Sequence, residues 1–190
     1  MKRGFAVLLA AATLGLMMTG SASAQMDTRT FMDPNFRLPF GGSNPIPRTT
    51  VNFNENYAPG TIVINTRERR LYLVQPNGTA LRYGIGVGRD GFRWSGTHRI
   101  TAKKEWPDWT PPAQMLRRRP DLPRHMKGGI ENPLGARAMY LGSTLYRIHG
   151  SNEPETIGQA VSSGCFRMTN DDVTDLYSRV PVGTTVVVKN

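Results

Sequence analysis

Residues 61–74 read Thr61-Ile-Val-Ile-Asn65, then the polar run Thr66-Arg-Glu-Arg-Arg70, then Leu71-Tyr-Leu-Val74. Two short runs rich in β-branched and aromatic residues, parted by polar ones, predict two strands joined as a hairpin. Working outward, Pro76-Asn77-Gly78 signals a turn and Ala80–Val87 predicts the next strand. Thr97–Thr101, Leu145–Ile148 and Thr184–Lys189 carry the same signature. The clearest helix spans Asn170 to Val180. Thr169 or Asn170 can cap it, Asp171 and Asp172 sit in its positive first turn, and Val173, Leu176, Tyr177 and Val180 share one face. Pro181 and Gly183 end it. The stretch from Lys103 to Pro133, rich in Pro and containing Trp106 and Trp109, shows no strand or helix period. A connection of that length inside a compact domain is usually functional or a lid, the alternative being a purely structural insertion. The expected fold is mostly β with a little helix, in keeping with 20 Gly and 14 Pro that supply turns. No internal repeat is present.

The chain has 190 residues, which suits one domain with a short appendage. Lys2 and Arg3, the uncharged apolar run Phe5–Met18 and Ala22-Ser23-Ala24 before Gln25 have the layout of a secretory signal peptide. The apolar run falls short of the roughly 20 residues a transmembrane helix needs. Residues 1–24 are therefore expected to be a signal peptide, leaving a mature chain with no membrane span. The expectation is export across the inner membrane to the periplasm. Residues 25–56 contain Pro34, Pro39, Pro45, Pro47 and Gly41-Gly42 with no sustained period, and are read as a Pro/Gly-rich linker ahead of a domain at 57–190.

Lys plus Arg number 24 against 14 Asp plus Glu, a net charge of +10. Outside the cytoplasm such a charge favours wall carboxylates and anionic envelope polymers. No nucleic-acid motif is present, and Arg117-Arg118-Arg119 reads as a solvated loop, so no nucleic-acid partner is expected. A single cysteine excludes an internal disulfide framework and argues against a structural Cys-based zinc site.

That cysteine lies in Ser162-Ser163-Gly164-Cys165-Phe166-Arg167-Met168, and Ile148-His149-Gly150-Ser151 lies upstream at the end of a predicted strand. A thiolate, not a thiol, attacks, and a neighbouring imidazole can take the proton, a contribution of typically 10²–10⁴-fold. Gly164 allows close backbone approach, so the Gly164 to Cys165 amides are candidates for an oxyanion site. Arg167 adds positive charge that favours a thiolate or holds a substrate carboxylate. Each residue also has a bland reading: a lone Cys is often a small buried hydrophobe, a lone His a hydrogen-bonded core residue, and Gly164 a turn.

His149-Gly150, then Ile157-Gly158, Ala160-Val161-Ser162 and Gly164-Cys165-x-Arg167-Met168, resemble the signature of the YkuD-type L,D-transpeptidase catalytic domain (the ErfK/YbiS/YcfS/YnhG-like group). The resemblance runs from about Pro59 to Asn190. It takes in Pro59-Gly60-Thr61-Ile62-Val63-Ile64, Gly96-Thr97, Trp109-Thr110-Pro111-Pro112, Asn132-Pro133-Leu134-Gly135 and Val180-Pro181-x-Gly183-Thr184-x-Val186. Many relatives carry Ser-His-Gly-Cys, and Ser163 stands here at that His position.

The resemblance implies a mostly-β, L,D-transpeptidase-like β-sandwich with one or two short helices and a lid loop. It implies Cys165 as nucleophile, His149 as the sole base and the Gly150 carbonyl as the group that orients its ring. Gly164 falls in the oxyanion region, and Arg167, Ser163, Ser151 and Trp109 are the expected substrate contacts. Cys165 would form a thioester with the diamino acid at position 3 of a peptidoglycan tetrapeptide stem, releasing D-alanine. An amine would then resolve it, as a 3→3 cross-link or an attachment to an envelope protein. The alternatives are hydrolysis of the same thioester, as an L,D-carboxypeptidase or endopeptidase, and a non-catalytic wall-binding module. The expected partners are peptidoglycan stem peptides and an envelope protein as a second kind of acceptor. Reaction with carbapenems is a further implication. No metal or cofactor is expected, and neither His98 nor His125 has an assigned role.

Overall fold

The computed structural model describes residues 44–190. The expected leader 1–24 and the first part of the expected linker lie outside the described residues. Along the chain come β1 (Thr49–Asn52), β2 (Ile62–Asn65), β3 (Arg70–Gln75), β4 (Thr79–Gly84), β5 (Val87–Gly88) and β6 (Gly96–Glu105). They are followed by α1 (Ala113–Arg118), β7 (Arg137–Leu141), β8 (Arg147–His149), β9 (Ala160–Ser162), β10 (Phe166–Arg167), α2 (Asn170–Arg179) and β11 (Thr185–Lys189).

The hairpin forms as its sequence predicts, with Ile62 opposite Leu73 and Ile64 opposite Leu71. β4 continues the meander, and successive left-handed residues at Asn77 and Gly78 reverse the chain into it. The β-branched C-terminal strand β11 inserts parallel to β2 and antiparallel to β6. One nine-stranded sheet results, in the order β1-β4-β3-β2-β11-β6-β7-β8-β10, with β5 and β9 forming a small parallel pair beside it.

β6 joins the two halves of that sheet. Its first residues pair with β11, its last with β7, and the register shifts between Ile100 and Ala102. A bulge bends a strand, and here both halves bury side chains in a common core. Ile62, Ile64, Leu71, Leu81 and Tyr83 from one half pack with Met139, Leu141, Ile148, Phe166 and Met168 from the other. The architecture is the expected sandwich-like one. Helix α2 closes the core with Val173 and Leu176, and Thr169 caps it by accepting from the Asp172 N–H at 3.2 Å.

Three departures from the sequence reading follow from tertiary structure. Residues 49–52, inside the expected linker, form the edge strand β1 on β4, from Thr49 opposite Arg82 to Asn52 opposite Thr79. Just before it, Asn44 donates to Asp172 at 2.7 Å and Arg48 at 3.0 Å, which fastens the segment to α2. The long connection is shorter than expected, since β6 runs to Glu105, and it carries the six-residue α1 with no buried residue. Its far end is tied by Asn132, which donates to the carbonyls of Pro107 and Lys127 and accepts from the Leu134 N–H.

Candidate active site

Two short parallel strands bring the chemistry together. In the β8–β10 pair Phe166 lies opposite Ile148 and Arg167 opposite His149. Ile148 and Phe166 point into the core. Side chains alternate along a strand, so Arg147 and His149 on one strand, and Cys165 and Arg167 flanking Phe166 on the other, turn to the opposite face. In this register Arg167 stands across from His149, and Cys165, one residue before the strand, falls across from Arg147, so thiol and imidazole share a face as diagonal neighbours.

His149 is held on both sides. Its Nδ1 donates to the Gly150 carbonyl at 2.6 Å, which leaves the Nε2 lone pair free to accept a proton. A side chain at Gly150 would bring its Cβ within 2.3 Å of Asn170 Oδ1, an atom already accepting from the Ala136 N–H at 2.8 Å. The first residue of α2 therefore fixes the backbone that orients the ring. Burial pushes the imidazole down to about 3, and the charges of Arg167 and Arg147 push the same way against the Gly150 carbonyl. It is neutral at neutral pH.

Cys165 is half-buried, and its thiol faces the Leu145 carbonyl at 3.8 Å. Burial raises the thiol, opposed by the Arg147 charge, the Arg147 backbone N–H and the Arg167 charge. The surroundings of thiol and imidazole each favour the neutral form. The backbone around the thiol is clamped. Ser162 Oγ donates to the Cys165 carbonyl at 2.6 Å and accepts from the Gly164 N–H at 3.1 Å. Gly164 has φ +108°, and a Cβ there would lie 2.5 Å from the Tyr146 ring. Its carbonyl accepts from Trp94 Nε1 at 2.8 Å, and Trp94 stacks on Tyr146 with ring centroids 4.5 Å apart.

Among the other expected site residues, the Gly164 N–H donates to Ser162 Oγ at 3.1 Å. Arg167 is paired with Glu153 at 2.6 Å. Ser151 and Trp109 are 2% and 9% exposed, so burial gives a substrate little of either to touch. The Ser151 hydroxyl accepts from the Glu153 N–H, and Trp109 exchanges backbone hydrogen bonds with Met126 across the long loop. Ser163 is half-buried beside the thiol. His98 meets the Trp94 ring edge-on at 5.2 Å, and His125 lies in the long loop 3.5 Å from Asp108. Ser162, Trp94, Tyr146 and Arg147 were not anticipated. Only Arg147 carried a signal, because it stands two residues before His149 in a strand and so shares its face. Among the described residues no cluster of His, Cys, Asp or Glu is placed to hold a metal, and no helix is long and apolar enough to cross a membrane.

Comparison with known proteins agrees with this site. The profile of the L,D-transpeptidase catalytic domain, YkuD, matches residues 59–188. The chain is 40% identical over 136 residues to the probable L,D-transpeptidase ErfK/SrfK of Escherichia coli K12, covering 67% of this chain and 43% of that one. It thus spans less than half the length of that relative. It is 46% identical to a protein from Brucella melitensis solved as a probable carnitine operon oxidoreductase, over 85% of this chain and 99% of that one, with a TM-score of 0.50. L,D-transpeptidase 3 of Mycobacterium tuberculosis, solved with a faropenem-derived adduct, shares the fold at a TM-score of 0.54 and 15% identity, over 68% of this chain and 60% of that one. Cys165, His149 and the strand pair that carries them lie inside the matched segment, and the chain belongs to the YkuD family of L,D-transpeptidase catalytic domains.

Proposed function

We propose that this chain is a peptidoglycan L,D-transpeptidase acting outside the inner membrane, in the periplasm. The observation that supports the reading is the β8–β10 register, which puts Cys165 on the same face as an imidazole whose Nδ1 donates to the Gly150 carbonyl. The thiol attacks the carbonyl of the diamino acid at position 3 of a tetrapeptide stem, and its proton passes to His149 Nε2. The Cys165 N–H faces the oxyanion. The tetrahedral adduct collapses with loss of the terminal D-alanine, whose amine takes the proton from His149. A thioester remains. An acceptor amine, from a second stem or an envelope protein, attacks the thioester and gives its proton to His149, which returns it to Sγ as the new amide forms. Because both groups start neutral, the proton moves during attack, where general-base help is worth most.

The name of the Brucella protein points to another reaction. For this chain the family profile and the thiol–imidazole pair support acyl transfer. The test incubates the purified chain with disaccharide-tetrapeptide beside a Cys165→Ala control and analyses the products by mass. Dimers short of one D-alanine, absent from the control, are expected. Tripeptide alone would assign hydrolysis, and untouched tetrapeptide together with no carbapenem adduct on Cys165 would sink the enzyme.

A further inference from the structure

Two guanidiniums flank the candidate nucleophile, and they differ in what holds them. Arg167 is neutralised by Glu153 at 2.6 Å and also reaches Thr156 Oγ1 at 3.4 Å. Arg147 has no acidic partner among the described residues. It stands opposite Tyr140 on β7, and its Cζ lies 5.3 Å from the centre of that ring, so the guanidinium rests against an aromatic side chain on the face that carries His149. Its Nε, like that of Arg167, is buried with no hydrogen-bond partner among the described residues. A buried donor without a partner is rare in native proteins and asks for a reason. Of the two charges, Arg147 acts more strongly on the Cys165 thiol.

The reaction supplies an anion at the matching place. In a tetrapeptide stem the residue expelled by Cys165 is the last one, and its free carboxylate is three bonds from the carbonyl under attack. A planar guanidinium whose acid partner is missing matches a carboxylate, which it can bind through two parallel N–H donors. We infer that Arg147 binds the C-terminal carboxylate of the donor stem and so selects stems that end one residue beyond the attacked carbonyl. The inference rests on the acyl-transfer reading above. It moves the expected carboxylate contact from Arg167, whose charge is already matched, to a residue to which the family resemblance gave no role. A stem carrying one more residue would place a neutral amide at this point, and its carboxylate would lie beyond reach. Arg147 then reads the length of the stem by its end charge, and its contact breaks when D-alanine leaves.

The test compares a tetrapeptide stem ending in a free carboxylate with the same stem ending in a carboxamide. Wild type should favour the acid by roughly 10- to 100-fold in kcat/KM, the worth of a charge-assisted hydrogen bond. Arg147→Gln should lose that factor on the acid alone, so that acid and amide become equal, and Arg147→Lys should fall between. An equal fall on both substrates would make Arg147 a residue that tunes the thiol or packs the site, and would overturn the assignment. A preference kept intact in Arg147→Gln would do the same. Equilibrium binding separates this from failure of the reaction itself. The chain carrying Cys165→Ser, titrated calorimetrically with both stems, should prefer the acid, and adding Arg147→Gln should abolish the preference. Equal affinity for both stems, or none for either, would overturn the proposal whatever the turnover assay gives.

Discussion

His149 and Asp172 are both titratable and both buried, at 5% and 1% exposure, yet their surroundings are opposite. Asp172 sits in the first turn of α2, where Arg48 and Asn44 supply two donors to its carboxylate. Burial raises that carboxyl and its two partners pull it back down. Burial is the main force on His149, aided by the charges of Arg167 and Arg147 and opposed by a single carbonyl. A buried ionisable group given its complement is a fastener. One surrounded by charge of the wrong sign is kept neutral at a cost to stability, and such groups concentrate where chemistry is done. The contrast divides the domain into a clamp at the N-terminal strap and a poised pair at the β8–β10 edge.

The sharpest way to break the comparison is to remove each group and read activity and stability separately. His149→Gln should lower acyl transfer by roughly 10²–10⁴-fold while costing no more stability than the roughly 0.5–1.5 kcal/mol of the hydrogen bond to Gly150, because no ion pair is lost. The neutral resting pair also predicts that alkylation of Cys165 by iodoacetamide climbs steadily with pH. A thiolate–imidazolium pair would instead give a plateau between about pH 5 and 8, and observing one would refute the neutral state.

Arg48→Met should do the reverse. It leaves the Asp172 carboxylate buried with Asn44 as its remaining side-chain donor, a loss of about 1.5–3 kcal/mol for a hydrogen bond to a charged group. Arg48 itself is 41% exposed, so its partner suffers more from the change than it does. Chemical denaturation should show a lower midpoint, and turnover at a temperature where the variant is folded should match wild type. A stable variant would mean that water satisfies Asp172 once the strap lifts.

What could be read from sequence follows the same division between local and tertiary causes. The β2–β3 hairpin and α2 were legible because β-branched alternation, a cap and an apolar stripe are local signals. β7 was not, because Arg137-Ala-Met-Tyr-Leu141 lacks β-branched residues and becomes a strand by pairing with β6 and β8. β1 was hidden behind Pro45 and Pro47, and edge strands tolerate polar sequences such as Thr49-Thr-Val-Asn52. At the site, Cys165 and His149 stood out as residue types, and the Nδ1 contact to Gly150 has the geometry the resemblance implied. The Ser162 clamp and the Trp94–Tyr146 stack did not stand out, since nothing in Ser162-Ser163 tells which hydroxyl turns inward.

The smallest effect is the most specific to the comparison. An imidazole held at about 3 in the folded chain, against about 6.5 when unfolded, binds its proton only after unfolding through the interval between those values. Stability should therefore be insensitive to His149 above about pH 6.5 and fall as acid is added below it, by roughly 1 kcal/mol at pH 5.5. Asp172 works in the opposite direction. Its raised carboxyl takes up a proton in the folded state before it does so in the unfolded one, so below neutrality it offsets part of the loss. Denaturant midpoints of wild type and His149→Gln, compared at pH 7.5 and 5.5, isolate the histidine. The wild type should lose about 1 kcal/mol more than the variant over that interval. Parallel curves would mean that His149 binds its proton equally well folded and unfolded, and a wild type that gains on the variant as pH falls would mean that the folded chain already holds the proton, as in a preformed ion pair.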